Sequence, residues 1–138
     1  MRRIFSHPCL AAVFWLLLLS VLPPEASART DRELVDCRYL KASGTEIALQ
    51  ISVGSPPPST LIITQKVPAG STIAAASPMY NKYNAQRGEA KWLLKGVNPG
   101  VFVLSIRLEQ PVQSGEIGGE ISYKNPASGQ MVSMSVRP

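Results

Sequence analysis

From Leu34 to the C-terminus, long stretches of the chain change between apolar and polar residues at almost every step. Ile47, Leu49, Ile51 and Val53 alternate with Glu46, Ala48, Gln50 and Ser52. The same beat returns at Phe102, Leu104, Ile106 and Leu108, set against Val103, Ser105, Arg107 and Glu109. Ile117, Gly119, Ile121 and Tyr123 alternate with Gly118, Glu120, Ser122 and Lys124, and Val132, Met134 and Val136 with Ser133, Ser135 and Arg137. Successive side chains of a β-strand point to opposite faces, so a period of two predicts strands with one buried face. The stretch 60–67, "TLIITQKV", alternates less cleanly, but it is β-branched and bounded by turn residues. "LVDCRYL", "STIAAAS" and "AKWLLKG" are three further candidates. No window keeps a helical period over a usual helix length.

Breakers punctuate these runs: Gly54-Ser55-Pro56-Pro57-Pro58, Pro68-Ala69-Gly70, Asn98-Pro99-Gly100, Gln113-Ser114-Gly115 and 125–129, "NPASG". Proline presets φ and glycine admits the left-handed region, so each reads as a turn. The proline triplet cannot donate to a ladder and is expected to cross between strands. About seven or eight short strands in roughly 110 residues predict a single two-sheet antiparallel β-sandwich. Trp92 is expected at the centre of the core. Ile73 is expected to face inward, with Ala74 to Ala76 allowing close backbone approach.

The N-terminus does not fit this pattern. Arg2 and Arg3 precede an apolar run from Leu10 to Leu22, then "PPEASA", which ends in an Ala26-Ser27-Ala28 cleavage pattern. This is the three-part layout of a secretory signal peptide. The run is shorter than the about 20 residues a membrane span needs. The expected organisation is a signal peptide over 1–28, an N-terminal arm and first strand over 29–44, and a sandwich domain over 45–138. "SHPC" before Cys9 is not a lipid-attachment pattern. Export places the protein in the periplasm, on the outer surface or in the medium.

The chain carries a net charge of +5. Arg38, Lys41, Lys66, Lys82, Arg87, Lys91, Lys95 and Arg107 are scattered along it. They do not form the sequence cluster of a nucleic-acid stripe, and the charge reads as solubility with weak attraction to acidic surfaces. Of the two cysteines, cleavage removes Cys9, so Cys37 has no partner within the mature chain. It is expected as a buried free thiol, with an intermolecular bridge as the alternative.

"VPAGSTIAAASP", "AKWLLKGVNPGVFVLSIRL" and "GEIGGEISYKN" together resemble the bacterial conserved-repeat domain, domain of unknown function eleven. Val67-Pro68-Ala69-Gly70, Ser77, Trp92, Pro99-Gly100 and 101–108 stand where that pattern has its turns and strands. The resemblance covers roughly Thr45 to Tyr123. It implies an Ig-like sandwich of the kind found on cell-surface proteins. There is a single copy here, and "GSPPPS" stands where the family has Asn-x-Gly.

The only histidine is His7, inside the signal. The remaining chain therefore lacks the commonest general base and any Ser-His-Asp or Cys-His pair. Zinc is disfavoured, since one cysteine and no histidine remain. No cofactor or metal is expected. Glu116 and Glu120 are expected on one solvated strand face. "NPASGQ" and "NKYNAQ" offer amides without acids, too few oxygens for calcium. The loop 77–89 is the best candidate binding site. Met79, Tyr80, Lys82, Tyr83 and Arg87 supply apolar, aromatic and cationic contacts there. The alternative has both tyrosines folding back over the core edge. The expected function is non-catalytic. One expectation is a structural or protein-interaction role in a bacterial envelope or extracellular matrix. The other is a soluble module that binds glycan or peptide through 77–89. No nucleic-acid partner and no transmembrane segment after processing are expected.

Overall fold

Each of the alternating stretches forms a strand. The computed structural model describes residues 33–138. The expected signal peptide over 1–28, with Ala26 and Ala28, lies outside them. Eight strands follow in order: β1 (Val35–Val53), β2 (Thr60–Lys66), β3 (Ile73–Ser77), β4 (Lys82–Asn84), β5 (Glu89–Lys95), β6 (Gly100–Val112), β7 (Gly118–Lys124) and β8 (Met131–Val136). They make two antiparallel sheets. The first, sheet A, has the order β1-β6-β3, and the second, sheet B, has the order β4-β5-β2-β7-β8. The fold is an antiparallel β-sandwich.

The inward residues of the two sheets close the core. β1 gives Ile47, Leu49 and Ile51, β2 gives Leu61 and Ile63, β6 gives Leu104 and Ile106, and β7 gives Ile121 and Tyr123. Trp92 of β5 is fully buried among them. Burying each such side chain contributes about 1.5–3 kcal/mol, which is why alternation predicts the fold so directly.

β1 is not one straight strand. Nineteen residues in line would span roughly 60 Å at the usual rise. Yet Arg38 donates to the Gln50 amide oxygen at 3.1 Å, Gly54 N–H reaches Leu34 O at 2.7 Å, and Lys41 pairs with Glu46. The chain doubles back at Gly44, where φ is +72°. Residues 35–41 form an outer arm against 46–53, and the latter pair with β6 from Glu46↔Arg107 to Val53↔Gly100. Val35 of the outer arm is fully buried, so residues 35–41 complete the same core as the strands after Gly44.

Three local readings need correction. Ala74 and Ala75 are exposed, on a short edge strand with a bulge between Ile73 and Ala75. Ala76 is half-buried and packs against the core. Glu116 sits in a 3-10 turn, Ser114–Glu116, and its carboxylate accepts from Gln113 N–H at 3.1 Å. It therefore does not share a strand face with Glu120. Part of the expected loop 77–89 is strand β4, paired with β5 from Lys82↔Lys91 to Asn84↔Glu89.

Candidate functional site

Two tight turns interlock where the chain passes between the sheets. Ser71 N–H bonds to Pro68 O at 3.1 Å with Gly70 at φ +81°, and Gly88 N–H bonds to Ala85 O at 3.2 Å. Gly70 N–H then reaches Ala85 O at 2.7 Å, and Val67 N–H reaches Gly88 O at 2.8 Å. A Cβ at Gly88 would stand 2.0 Å from Val67 O, at a φ of +63°. Only glycine fits there.

The segment between these turns is built around Trp92. Its indole N–H donates to Pro78 O at 2.8 Å. Tyr80 meets the indole edge-on with ring centroids 6.1 Å apart, and Tyr83 lies 5.9 Å from Tyr80. The Tyr83 hydroxyl donates to Ser71 O. Burial, and then the neighbouring Tyr80, raises the Tyr83 phenol above its ordinary pKa. Both tyrosines pack against the core, which is the cap-like alternative foreseen for them. Asn81 replaces a strand partner: its N–H donates to Lys91 O at 2.8 Å and its side-chain oxygen accepts from Leu93 N–H at 2.6 Å. Of the five candidate residues, Met79, Lys82 and Arg87 remain exposed, Met79 by 68%. The structure thus separates the aromatic pair from the three outward groups.

A polar clamp ties the outer arm of β1 to sheet B. The Tyr39 hydroxyl donates to the Gln65 side-chain oxygen at 2.9 Å, and the Gln65 amide donates to Lys66 O and Gly118 O, each at 3.0 Å. Gln65 is fully buried with its groups satisfied. Gly119 leaves the space, since a Cβ there would lie 2.9 Å from the Tyr39 oxygen. Burial pushes the Tyr39 phenol up to about 12, with the Gln65 hydrogen bond acting the other way. Two residues earlier, the Cys37 thiol lies 3.6 Å from the Met134 sulfur. It is half-buried rather than fully buried. Burial first, then the charges of Asp36 and Glu33, push it up to about 11. A thiol held protonated in this way is a poor nucleophile.

The opposite border of sheet A is open. The β3 ladder ends at Ser77↔Ser105, and the chain then leaves towards Pro78 and Trp92. Among the described residues, β6 runs on to Gly100 with only β1 beside it. Glu109 N–H points to the β3 side, bonding Thr72 O at 3.0 Å. Backbone groups alternate along a strand, so those of Val103 and Val101 face the same open side. Their side chains point outward and are 45% and 63% exposed. Next along β6, an open trough of about 400 Å³ is floored by Ala48, Ala75, Ser77 and Ser105.

Among the described residues no three His, Cys, Asp or Glu side chains gather as a metal site, and no helix is long and apolar enough to cross a membrane. No family model matches this chain, and no curated protein matches it either. The sequence reading missed Gln65 and the open stretch of β6. Gln65 occupies an inward position of an alternating strand, and a polar residue at such a position is itself a signal. The open edge left no sequence signal, because it depends on where the neighbouring strand stops.

Proposed function

We propose that this chain is an exported, non-catalytic Ig-like β-sandwich that works by binding a protein partner in a bacterial envelope or extracellular matrix. The observation that carries this reading is the open edge of β6 over 100–104, flanked by Val101 and Val103. An extended partner segment can add there as a strand. Main-chain bonds would supply the affinity, and alternate side chains would supply the specificity. Exposed edges of this kind associate unless they are guarded by charge, proline or a bulge. The trough next along β6 combines small residues, Ala48, Ala75 and Ser105, with the charged groups of Lys41, Glu46 and Arg107, which a polar partner side chain could meet. The signal-type N-terminus and the resemblance to a surface-repeat family support the location. A second reading, a glycan- or peptide-binding module using 77–89, is favoured by the exposure of Met79, Lys82 and Arg87 around the rigid aromatic group.

The test is co-purification from envelope and secreted fractions of the native cell. Wild-type protein should retain a defined partner, and V101K/V103K should lose it while its stability stays within about 0.5 kcal/mol, as for surface sites. Retention of the same partner by the lysine variant contradicts strand addition at β6. Loss of the partner on replacing Met79, Lys82 and Arg87 instead would move the site to 77–89.

A further inference from the structure

The outer faces of the two sheets carry charge very differently. On sheet A, Asp36, Glu46 and Glu109 balance Arg38, Lys41 and Arg107. Sheet B presents five of the six lysines of the chain, Lys66, Lys82, Lys91, Lys95 and Lys124, all exposed, against Glu89 and Glu120. Among the described residues the only ion pair is Lys41–Glu46, so none of these five lysines is held in one there, although Lys66 stands opposite Glu89 in the β2–β5 register. Lys82 and Lys91 stand directly opposite each other, an arrangement of like charges that costs stability. A lysine on the edge strand β4 guards that edge. That reason does not extend to Lys66, Lys91, Lys95 and Lys124, which lie on the interior strands β2, β5 and β7.

The registers arrange this face in rows across the strands. One row runs Lys82, Lys91, Thr64, Glu120, Ser135. The next runs Leu93, Ile62, Ser122, Ser133, with the two serine hydroxyls 2.8 Å apart. The third holds Lys95 opposite Thr60, and Lys124 opposite Met131. Lysines therefore border both sides of a track that carries two aliphatic side chains and two hydroxyls. Lys91 and Lys95, four residues apart on one strand, set the borders about 13 Å apart. At one corner an open depression of about 460 Å³ adds Lys66 and Arg137, beside Glu116.

We propose that the outer face of sheet B binds a linear acidic polysaccharide laid across the strands. Lysine ammonium groups are point charges that take carboxylates without demanding a fork geometry. Hydroxyls in the track hydrogen-bond sugar hydroxyls, and Leu93 and Ile62 meet the apolar faces of the rings. Strands repeat about every 4.8 Å, a spacing comparable with that of successive sugar rings. Nucleic acid fits less well. Single strands bind by stacking on aromatic residues, and the aromatic side chains of strands β4, β5 and β7, Tyr83, Trp92 and Tyr123, all pack on the inner side of this sheet. The proposal does not depend on strand addition at β6, which lies in the other sheet.

The intact chain should bind immobilised polygalacturonate at low salt, weaken as salt rises, and ignore neutral dextran. K91Q/K95Q/K124Q should lose at least tenfold in affinity with an unchanged far-UV spectrum. R38Q/K41Q/R107Q, which removes the same charge from sheet A, should stay within twofold. No binding of polygalacturonate, or equal losses in the two triple variants, overturns the proposal. Equal or tighter binding of single-stranded DNA, or of phosphatidylglycerol vesicles, overturns it in favour of those partners.

Discussion

Sheet A has two borders, and they are finished differently. On one side the outer arm of β1 has no strand beyond it among the described residues. It points Asp36 and Arg38 outward, with Leu40 beside them 53% exposed, and is anchored inward by Tyr39 on Gln65. On the other side β6 continues past the end of β3 with Val101 and Val103 outward. Both borders present backbone groups. The first carries charges among its outward residues, which discourages pairing with another chain. The second carries none over 100–104. β3 itself is short and bulged, and β4 carries Lys82 at its edge. β8, the other edge of sheet B, has no charge in its six residues and exposes Met131 by 62%. The open stretch of β6 therefore differs from β8 in being a partly paired strand left single at one end, rather than in lacking a guard.

The contrast rests on Trp92, which holds Pro78 and so draws the chain away from β6. Trp92→Ala should give the largest effect, a loss of about 3–5 kcal/mol as for large buried aromatics, read from the midpoint of chemical denaturation. An unchanged midpoint would mean that some other contact ends the β3 ladder.

The guarded border should be less costly to break. Tyr39→Phe leaves the buried Gln65 oxygen without its donor and should cost about 1–3 kcal/mol. It also sharpens the comparison through pH. The Tyr39 phenol and the Cys37 thiol are raised from 10.0 to about 12 and from 9.0 to about 11. On raising the pH the unfolded chain loses these protons first, so it binds fewer protons than the native state, and stability falls with pH. The stabilisation is full below about pH 9 and lost by about pH 12. Both groups are half-buried, so screening keeps the effect smaller than that of either substitution. Unfolding measured at pH 8, 10 and 11 should show the decline. In Tyr39→Phe it should be shallower above pH 10, leaving only the part due to Cys37. An equally steep decline in the variant would remove Tyr39 from this account.

The legible part of this molecule was the part governed by a period of two. Ile47, Leu49, Ile51, Leu104, Ile106 and Ile121 are buried where alternation puts them, because one face of each strand must meet the other sheet. Trp92 was legible as core because no other aromatic of that size occurs in the sandwich. The fold-back at Gly44 was not. Its two arms are each too regular to reveal that they pair with one another, and only Gly44 in "ASGTE" hints at the turn. β4 was hidden in a Tyr- and Asn-rich stretch, where Asn81 supplies side-chain bonds that sequence periodicity does not record. The candidate residues of 77–89 were readable as a group by composition. Their division into core caps and exposed groups was set by Trp92, a contact between residues on two different strands or loops. The basic face of sheet B was invisible for the same reason. Its lysines are scattered in sequence and gather only through the registers of β5, β2 and β7.

Strand addition at β6 is tested most directly by placing a photo-crosslinking phenylalanine analogue at one border of sheet A or the other, at position 103 or at position 38, in the native cell. Strand addition at β6 should give a discrete protein adduct from position 103, abolished by adding Val101→Lys, and none from position 38. No adduct from position 103, or the same adduct from both positions, would contradict it.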